Sequence, residues 1–121
     1  MGGGKVPVRP IPRKYGNKKV EADGHIFDSK REERYYQELK YRKMAGEITD
    51  IKIQPEYELQ SRFKVGKNTI RPITYIADFE ITLKGGKKQV IDVKGFKTKD
   101  YRIKRKLFLF KYPDVEFLEV K

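Results

Sequence analysis

Asp78 stands fourteen residues before Asp92-Val93-Lys94, in a chain whose formal net charge is +12. If that stretch folds back as a hairpin, two carboxylates and an ammonium meet at one edge of a sheet. Carboxylates repel phosphate unless a cation sits between them. Acids gathered on an otherwise basic protein therefore point to a hard divalent ion, Mg²⁺ with Mn²⁺ as a substitute. The chemistry to expect is metal-dependent hydrolysis of a nucleic-acid backbone. Lys94, two residues beyond Asp92, belongs on the same side of its strand. There it orients or activates an attacking water, or neutralises charge developing on phosphorus. The plainer reading of the trio is a surface salt bridge on two strands, worth about 0–1 kcal/mol.

The remaining composition narrows the chemistry. The chain has 121 residues, no cysteine, and His25 as its only histidine. Thiolate zinc sites and disulfides are excluded, and an imidazole zinc site or a His-centred triad is disfavoured. His25 itself reads as structural. Catalysis must rest on carboxylates, lysines, tyrosines and a hard cation, without a small-molecule cofactor. The positive charge calls for a polyanionic partner. No apolar run approaches the roughly 18 residues of a membrane span. The basic N-terminus has no apolar stretch of a secretory signal, so no membrane association is expected.

The elements that would carry the trio follow from periodicity. Residues 1–22 hold Gly2-Gly3-Gly4, Pro7, Pro10, Pro12 and several lysines and arginines without an apolar face. They read as a flexible basic arm before a domain over 23–121. Ser29 with Glu32 forms a capping-box pattern opening a helix. Tyr35, Tyr36, Leu39 and Met44 continue it at helical spacing, and Gly46 stops it. Tyr35, Tyr36 and Tyr41 read as core residues rather than base-stacking ones. Ile48 to Leu59 reads as one strand, placed at an edge or bulged because Pro55 cannot donate to a ladder. Ser61 to Arg71 reads as a turn or longer loop. Thr74 to Leu83 reads as a second strand and Gln89 to Lys94 as a third. Thr98 or Asp100 can cap a second helix to about Lys111, with Ile103, Leu107, Phe108 and Phe110 packing. Val115 to Val120 is a final strand. The order is helix, three strands, helix, strand, an α/β (α+β) fold with a mixed central sheet.

Register bears directly on the acids. For Phe79 to pair with Val93 or Ile91, the hairpin must centre on a residue, which suits a three-residue turn at Gly85-Gly86-Lys87. Asp78 then sits opposite Asp92 or Lys94 on one face. A two-residue Gly-Gly turn would send the two aspartates to opposite faces.

Asp78 in Ala77-Asp78-Phe79, the Asp92-Val93-Lys94 triplet and this element order together resemble the PD-(D/E)xK nuclease superfamily. The resemblance is nearest to small phage and prophage proteins and transposase-type endonuclease subunits, through the Ser29-x-x-Glu32 helix and Gln54-Pro55. It covers about residues 24–121, with alanine in place of the proline usual before the first aspartate. It implies a restriction-endonuclease-like αβββαβ core and a Mg²⁺-dependent endonuclease acting on DNA in a bacterial host cytoplasm. It adds Glu32 from the first helix to Asp78 and Asp92 as metal ligands, with the Val93 carbonyl as a further oxygen and Lys94 as the catalytic lysine. It implies products with a 5′-phosphate and a 3′-hydroxyl. The plainer role for Glu32 is to close its capping box; Gln54 is equally an ordinary edge-strand residue or a contact to DNA.

The second helix carries Lys97, Lys99, Arg102, Lys104, Arg105 and Lys106 close to the expected site. These are the residues expected to contact phosphates; whether Tyr101 joins the site is left open. One small domain has one active site, so cutting two strands calls for a homodimer. The substrate is branched DNA, such as a Holliday junction, or plain duplex. The competing reading is a non-catalytic nucleic-acid-binding accessory protein on the same fold. A basic RNA-binding protein would explain the charge but not the acids.

Overall fold

Two helix caps and one long, bent hairpin organise this chain. The computed structural model describes residues 19–93 and 98–121. The expectations for the arm over 1–18, for Lys94 and for Lys97 lie outside the described residues. The fold is mixed α+β, with two helices and several sheets among those residues. The chain forms two compact units, divided between Glu38 and Leu39.

In the first unit, β1 (Val20–Ala22) pairs antiparallel with β2 (His25–Phe27) around Asp23-Gly24. The expected arm thus gives way to a strand at Val20, and the Asp-Gly hairpin signal that marks this turn was present in the sequence. Buried Phe27 packs on Tyr36, their ring centroids 5.1 Å apart, and the Tyr36 hydroxyl donates to Asp23 Oδ2 at 3.0 Å. His25 is exposed beside these rings. Helix α1 (Lys30–Met44) begins as expected, with the Glu32 N–H donating to Ser29 Oγ at 3.1 Å. It ends at Gly46 in a pair of reverse bonds, Glu47 N–H to Arg42 O and Gly46 N–H to Lys43 O, each 3.0 Å. Two residues expected in the core, Tyr41 and Met44, are 70% and 83% exposed.

In the second unit, β3 (Ile48–Ile53), β4 (Glu56–Gln60), β5 (Phe63–Val65), β6 (Asn68–Ile70), β7 (Ile73–Ile76) and β8 (Phe79–Leu83) form one nested ladder. β5 pairs with β6 at the tip, β4 with β7 in the middle and β3 with β8 at the root. The two long strands expected from alternation are each broken once. Pro55 cannot donate, and Gln54 adopts a positive φ of 53°, so the chain bends there. The bend is sealed by Gln54 N–H to Asp78 O at 2.9 Å and Ala77 N–H to Pro55 O at 3.1 Å. The break in the opposite strand therefore falls at Ala77-Asp78.

β9 (Lys88–Val93) returns antiparallel to β8, and β10 (Glu116–Val120) lies parallel to β9, giving a four-stranded mixed sheet of order β10-β9-β8-β3. β3 is at the edge of this sheet, and Pro55 follows it in the bend. Helix α2 (Lys99–Lys111) makes the crossover that a parallel pair needs. Its N-cap is Thr98, whose Oγ1 accepts from Tyr101 N–H at 3.0 Å. Its core residue is fully buried Phe108, ringed by Tyr57, Tyr75, Tyr112 and Phe117 at centroid distances of 5.0–5.7 Å. Ile103, Leu107 and Phe110, expected to pack, are 59%, 38% and 86% exposed. The helix buries the Tyr101–Phe108 side instead, because an aromatic-lined face awaits it there.

Candidate active site and nucleic-acid interface

The β8–β9 hairpin settles where the two aspartates go. Leu83 N–H donates to Lys87 O at 2.7 Å and Gly86 N–H to Leu83 O at 2.8 Å, so the turn is Lys84-Gly85-Gly86. It begins one residue earlier than Gly85-Gly86-Lys87. Gly85 and Gly86 hold φ of 105° and 98°, a region that a Cβ makes costly. The centre falls on a residue, and Phe79 pairs with Ile91. Asp78 then comes beside β9 at Asp92. Its N–H donates to Ile91 O at 3.1 Å, and its Oδ2 accepts from Val93 N–H at 2.6 Å. Asp78 is half-buried, while Asp92 is 1% exposed.

Asp92 is held by a residue that composition and spacing do not reveal. The Tyr75 hydroxyl, carried by β7 just before the break, donates to Asp92 Oδ2. The same arrangement recurs on either side. The Tyr57 hydroxyl donates to Glu80 Oε1 at 2.6 Å, and the Tyr101 hydroxyl donates to Glu119 Oε2. Glu119 is the strand partner of Asp92, and Glu80 that of Val90, so one carboxylate from each of β8, β9 and β10 lines the α2 side of the sheet. Burial, and next the neighbouring carboxylate, drives all three hydroxyls far above the ordinary tyrosine range. Each stays protonated near neutral pH and so acts as a donor to its carboxylate. Glu80 is further neutralised by Lys52 and Lys88, at 3.6 and 3.8 Å.

The expected site residues distribute as follows. Asp78, Asp92 and Val93 are brought together, and Gln54 reaches them through its backbone bond to Asp78. Glu32 is buried in the first turn of α1, in the first unit. Lys94 and Lys97 lie outside the described residues. Lys99, Arg102 and Lys106 are exposed on α2; Lys104 and Arg105 are partly covered. A cavity of about 550 Å³ is lined by Tyr101, Arg102, Arg105, Lys106, Leu109 and Glu119, with Arg105 Nε 3.5 Å from Glu119 Oε2. It adjoins the Tyr101–Glu119 pair. The sequence held one usable signal for Glu119: it shares the inward parity of Phe117 in the last strand. Tyr75 carried none, because a tyrosine at an apolar parity reads as core.

The donor set fits a hard cation. Asp78 and Asp92 offer only oxygens, the donor type that a hard cation takes. Mg²⁺ is commonly held by one or two carboxylates plus water and phosphate. Among the described residues, no group of three or more His, Asp or Glu side chains is gathered as a metal-ion cluster. No helix among them is long and apolar enough to cross a membrane.

Residues 12–120 match the family described as "Protein of unknown function (DUF1064)". With this match over most of its length, the chain belongs to that family. No curated protein matches the chain.

Proposed function

We propose that the protein is a Mg²⁺-dependent endodeoxyribonuclease of the PD-(D/E)xK type, with Mn²⁺ as substitute metal, from a phage or mobile element and working in a bacterial host cytoplasm. The observation that carries the reading is the residue-centred β8–β9 hairpin, which sets Asp78 beside Asp92 against the Val93 backbone. The order helix, three antiparallel strands, helix, parallel strand is what a restriction-endonuclease-like αβββαβ core requires.

In this reading Asp78 and Asp92 would hold the cation, with the Val93 carbonyl as a further oxygen; the ligand role of Glu32 and the catalytic role of Lys94 rest on the family resemblance. A bound divalent ion supplies a water of lowered pKa and polarises the phosphoryl oxygens. The Val93 N–H fixes the Asp78 carboxylate and the Tyr75 hydroxyl fixes that of Asp92, so neither must reorganise when substrate arrives. Lys99, Arg102, Lys104, Arg105 and Lys106, with Lys97, contact phosphates, and Gln54 lies at the edge of the site. Two copies, each with one site, cut the two strands of a duplex or junction.

The test is nicking of supercoiled plasmid and four-way DNA junctions with Mg²⁺, Mn²⁺ or EDTA. Cutting with either metal, abolished by EDTA, is expected. Asp92→Ala and Asp78→Asn should each lower it by roughly a hundredfold or more. Cutting by Asp92→Ala at the wild-type rate would show the site to be misassigned. The burial of Asp92 against Tyr75 favours one alternative, a nucleic-acid-binding accessory protein that keeps the acids for structure. That reading prevails if the protein binds DNA and cuts neither DNA nor RNA with any divalent metal.

A further inference from the structure

The stretch from Ser61 to Pro72 contains Arg62, Lys64, Lys67 and Arg71 and no carboxylate. Expected as a loop, it is the tip of the long hairpin instead. β5 and β6 pair as Phe63 with Ile70, Lys64 with Thr69 and Val65 with Asn68, and every residue from Ser61 to Ile73 is exposed. An isolated two-stranded hairpin is marginal in water. This one is held because its strands continue through β4 and β7, which helix α2 covers, into the sheet.

Strand parity sorts the side chains. Lys64 and Thr69 share one face, and Arg62 and Arg71 follow on it two residues further out. Phe63, Val65 and Ile70 take the other face, at 45%, 59% and 37% exposure. Lys67 is in the turn. None of the four cations is in an ion pair among the described residues. Four solvated like charges on a narrow, projecting ribbon gain nothing for folding. A polyanion would replace the counterions that screen them and release those ions to solution. A two-stranded ribbon is of a size that the major groove of a nucleic-acid duplex, about 12 Å wide, admits.

We propose that the β5–β6 ribbon is a duplex-DNA contact that enters a groove, with Arg62, Lys64 and Arg71 on the flanking phosphates and Lys67 at the leading turn. The inference rests on the DNA-directed reading above and extends it. It assigns substrate engagement to a second surface, separate from the α2 cations, and names intact duplex as what that surface grips.

The experiment is fluorescence anisotropy of the full chain with labelled duplex DNA in EDTA, which separates binding from cutting, at salt from about 50 to 200 mM. The variants are Arg62→Ala/Lys64→Ala/Arg71→Ala on the ribbon and Lys99→Ala/Arg102→Ala/Lys106→Ala on α2. The ribbon variant should keep the wild-type thermal midpoint, since its side chains are exposed. It should bind duplex at least about tenfold more weakly, with the slope of log K against log salt reduced by roughly 2–3, about 0.9 per lost phosphate contact. The loss should be smaller on a single strand of the same length. If the ribbon variant binds like wild type while the α2 variant weakens, the ribbon proposal fails and the nuclease reading stands. Equal losses on single strand and duplex overturn the groove assignment. If wild type binds no DNA at all, the functional reading fails and the ribbon goes with it.

Discussion

The α2 side of the sheet and the tip of the long hairpin treat charge in opposite ways. On the sheet, Glu80, Asp92 and Glu119 each receive a tyrosine hydroxyl, and Glu80 has two lysines nearby as well. At the tip, Arg62, Lys64, Lys67 and Arg71 stand in solvent. Burying a carboxylate costs several kcal/mol unless donors replace its water, so the buried acids come with dedicated partners. Exposed cations carry no such cost and need none for folding. The difference teaches how the fold uses charge: charges inside it are organised in advance by fixed donors, while those at the tip stay solvated and available.

That contrast can be broken from the inside first. Phe108→Ala removes the ring on which four aromatic side chains converge. It should cost about 3–5 kcal/mol in urea unfolding, the largest effect expected of any substitution considered. Tyr75→Phe removes a charge-assisted bond to a fully buried carboxylate and should cost about 1.5–3 kcal/mol. A loss under a few tenths would mean that Asp92 does not depend on Tyr75.

The same tyrosines set the alkaline limit. Their folded-state pKa values lie above the ordinary value near 10, so up to about pH 10 both folded and unfolded chains keep the protons. Above that, the unfolded chain releases them first, and stability contributed by the hydroxyls is lost as pH rises. The urea midpoint should therefore fall above about pH 10, and it should fall less steeply in Tyr57→Phe/Tyr75→Phe/Tyr101→Phe. An identical alkaline limb in that variant would assign the loss to lysine titration.

Gly85→Ala, at a positive φ of 105°, should cost about 1 kcal/mol and loosen the hairpin register that aligns Asp78 with Asp92. A matching fall in nicking would tie register to activity. The smallest effect belongs to the tip. Lys64→Ala should change stability by no more than about 0.5 kcal/mol. A larger change would mean that the ribbon packs on something and is not held for a partner.

Much of this arrangement was legible in the residues. Ser29 and Gly46 bounded the first helix because caps are local chemistry. Parity put Asp78 on the same face as Asp92 and Lys94, and the Phe79–Ile91 register of the fold chose Asp92 as its neighbour. The turn was misplaced by one residue because two adjacent glycines suit either position. Alternation predicted single strands across Gln54-Pro55 and Ala77-Asp78, because it cannot see that a bend in one strand forces a break in its partner. Ser61–Arg71 read as a loop because its polar residues with Gly66 and Asn68 outweighed the short alternation of Phe63 and Val65. Ile103, Leu107 and Phe110 were assigned to packing because helical periodicity does not say which of two apolar stripes meets the sheet. The cations of α2 were read as a group, and only the fold separates Arg102, Arg105 and Lys106, which line a cavity, from Lys104.

What the amino-acid order determined alone is everything set within a turn of helix or a pair of strands: the caps, the parity, the absence of soft metal ligands and the excess of positive charge. What only the tertiary structure decided is which distant groups share a buried face. Tyr75 finds Asp92, and Tyr101 finds Glu119, across 17 and 18 residues of chain. Hydrogen bonds of that kind are short in space and long in sequence, so no local pattern announces them. They form because a buried carboxylate must find a donor wherever the packing has brought one.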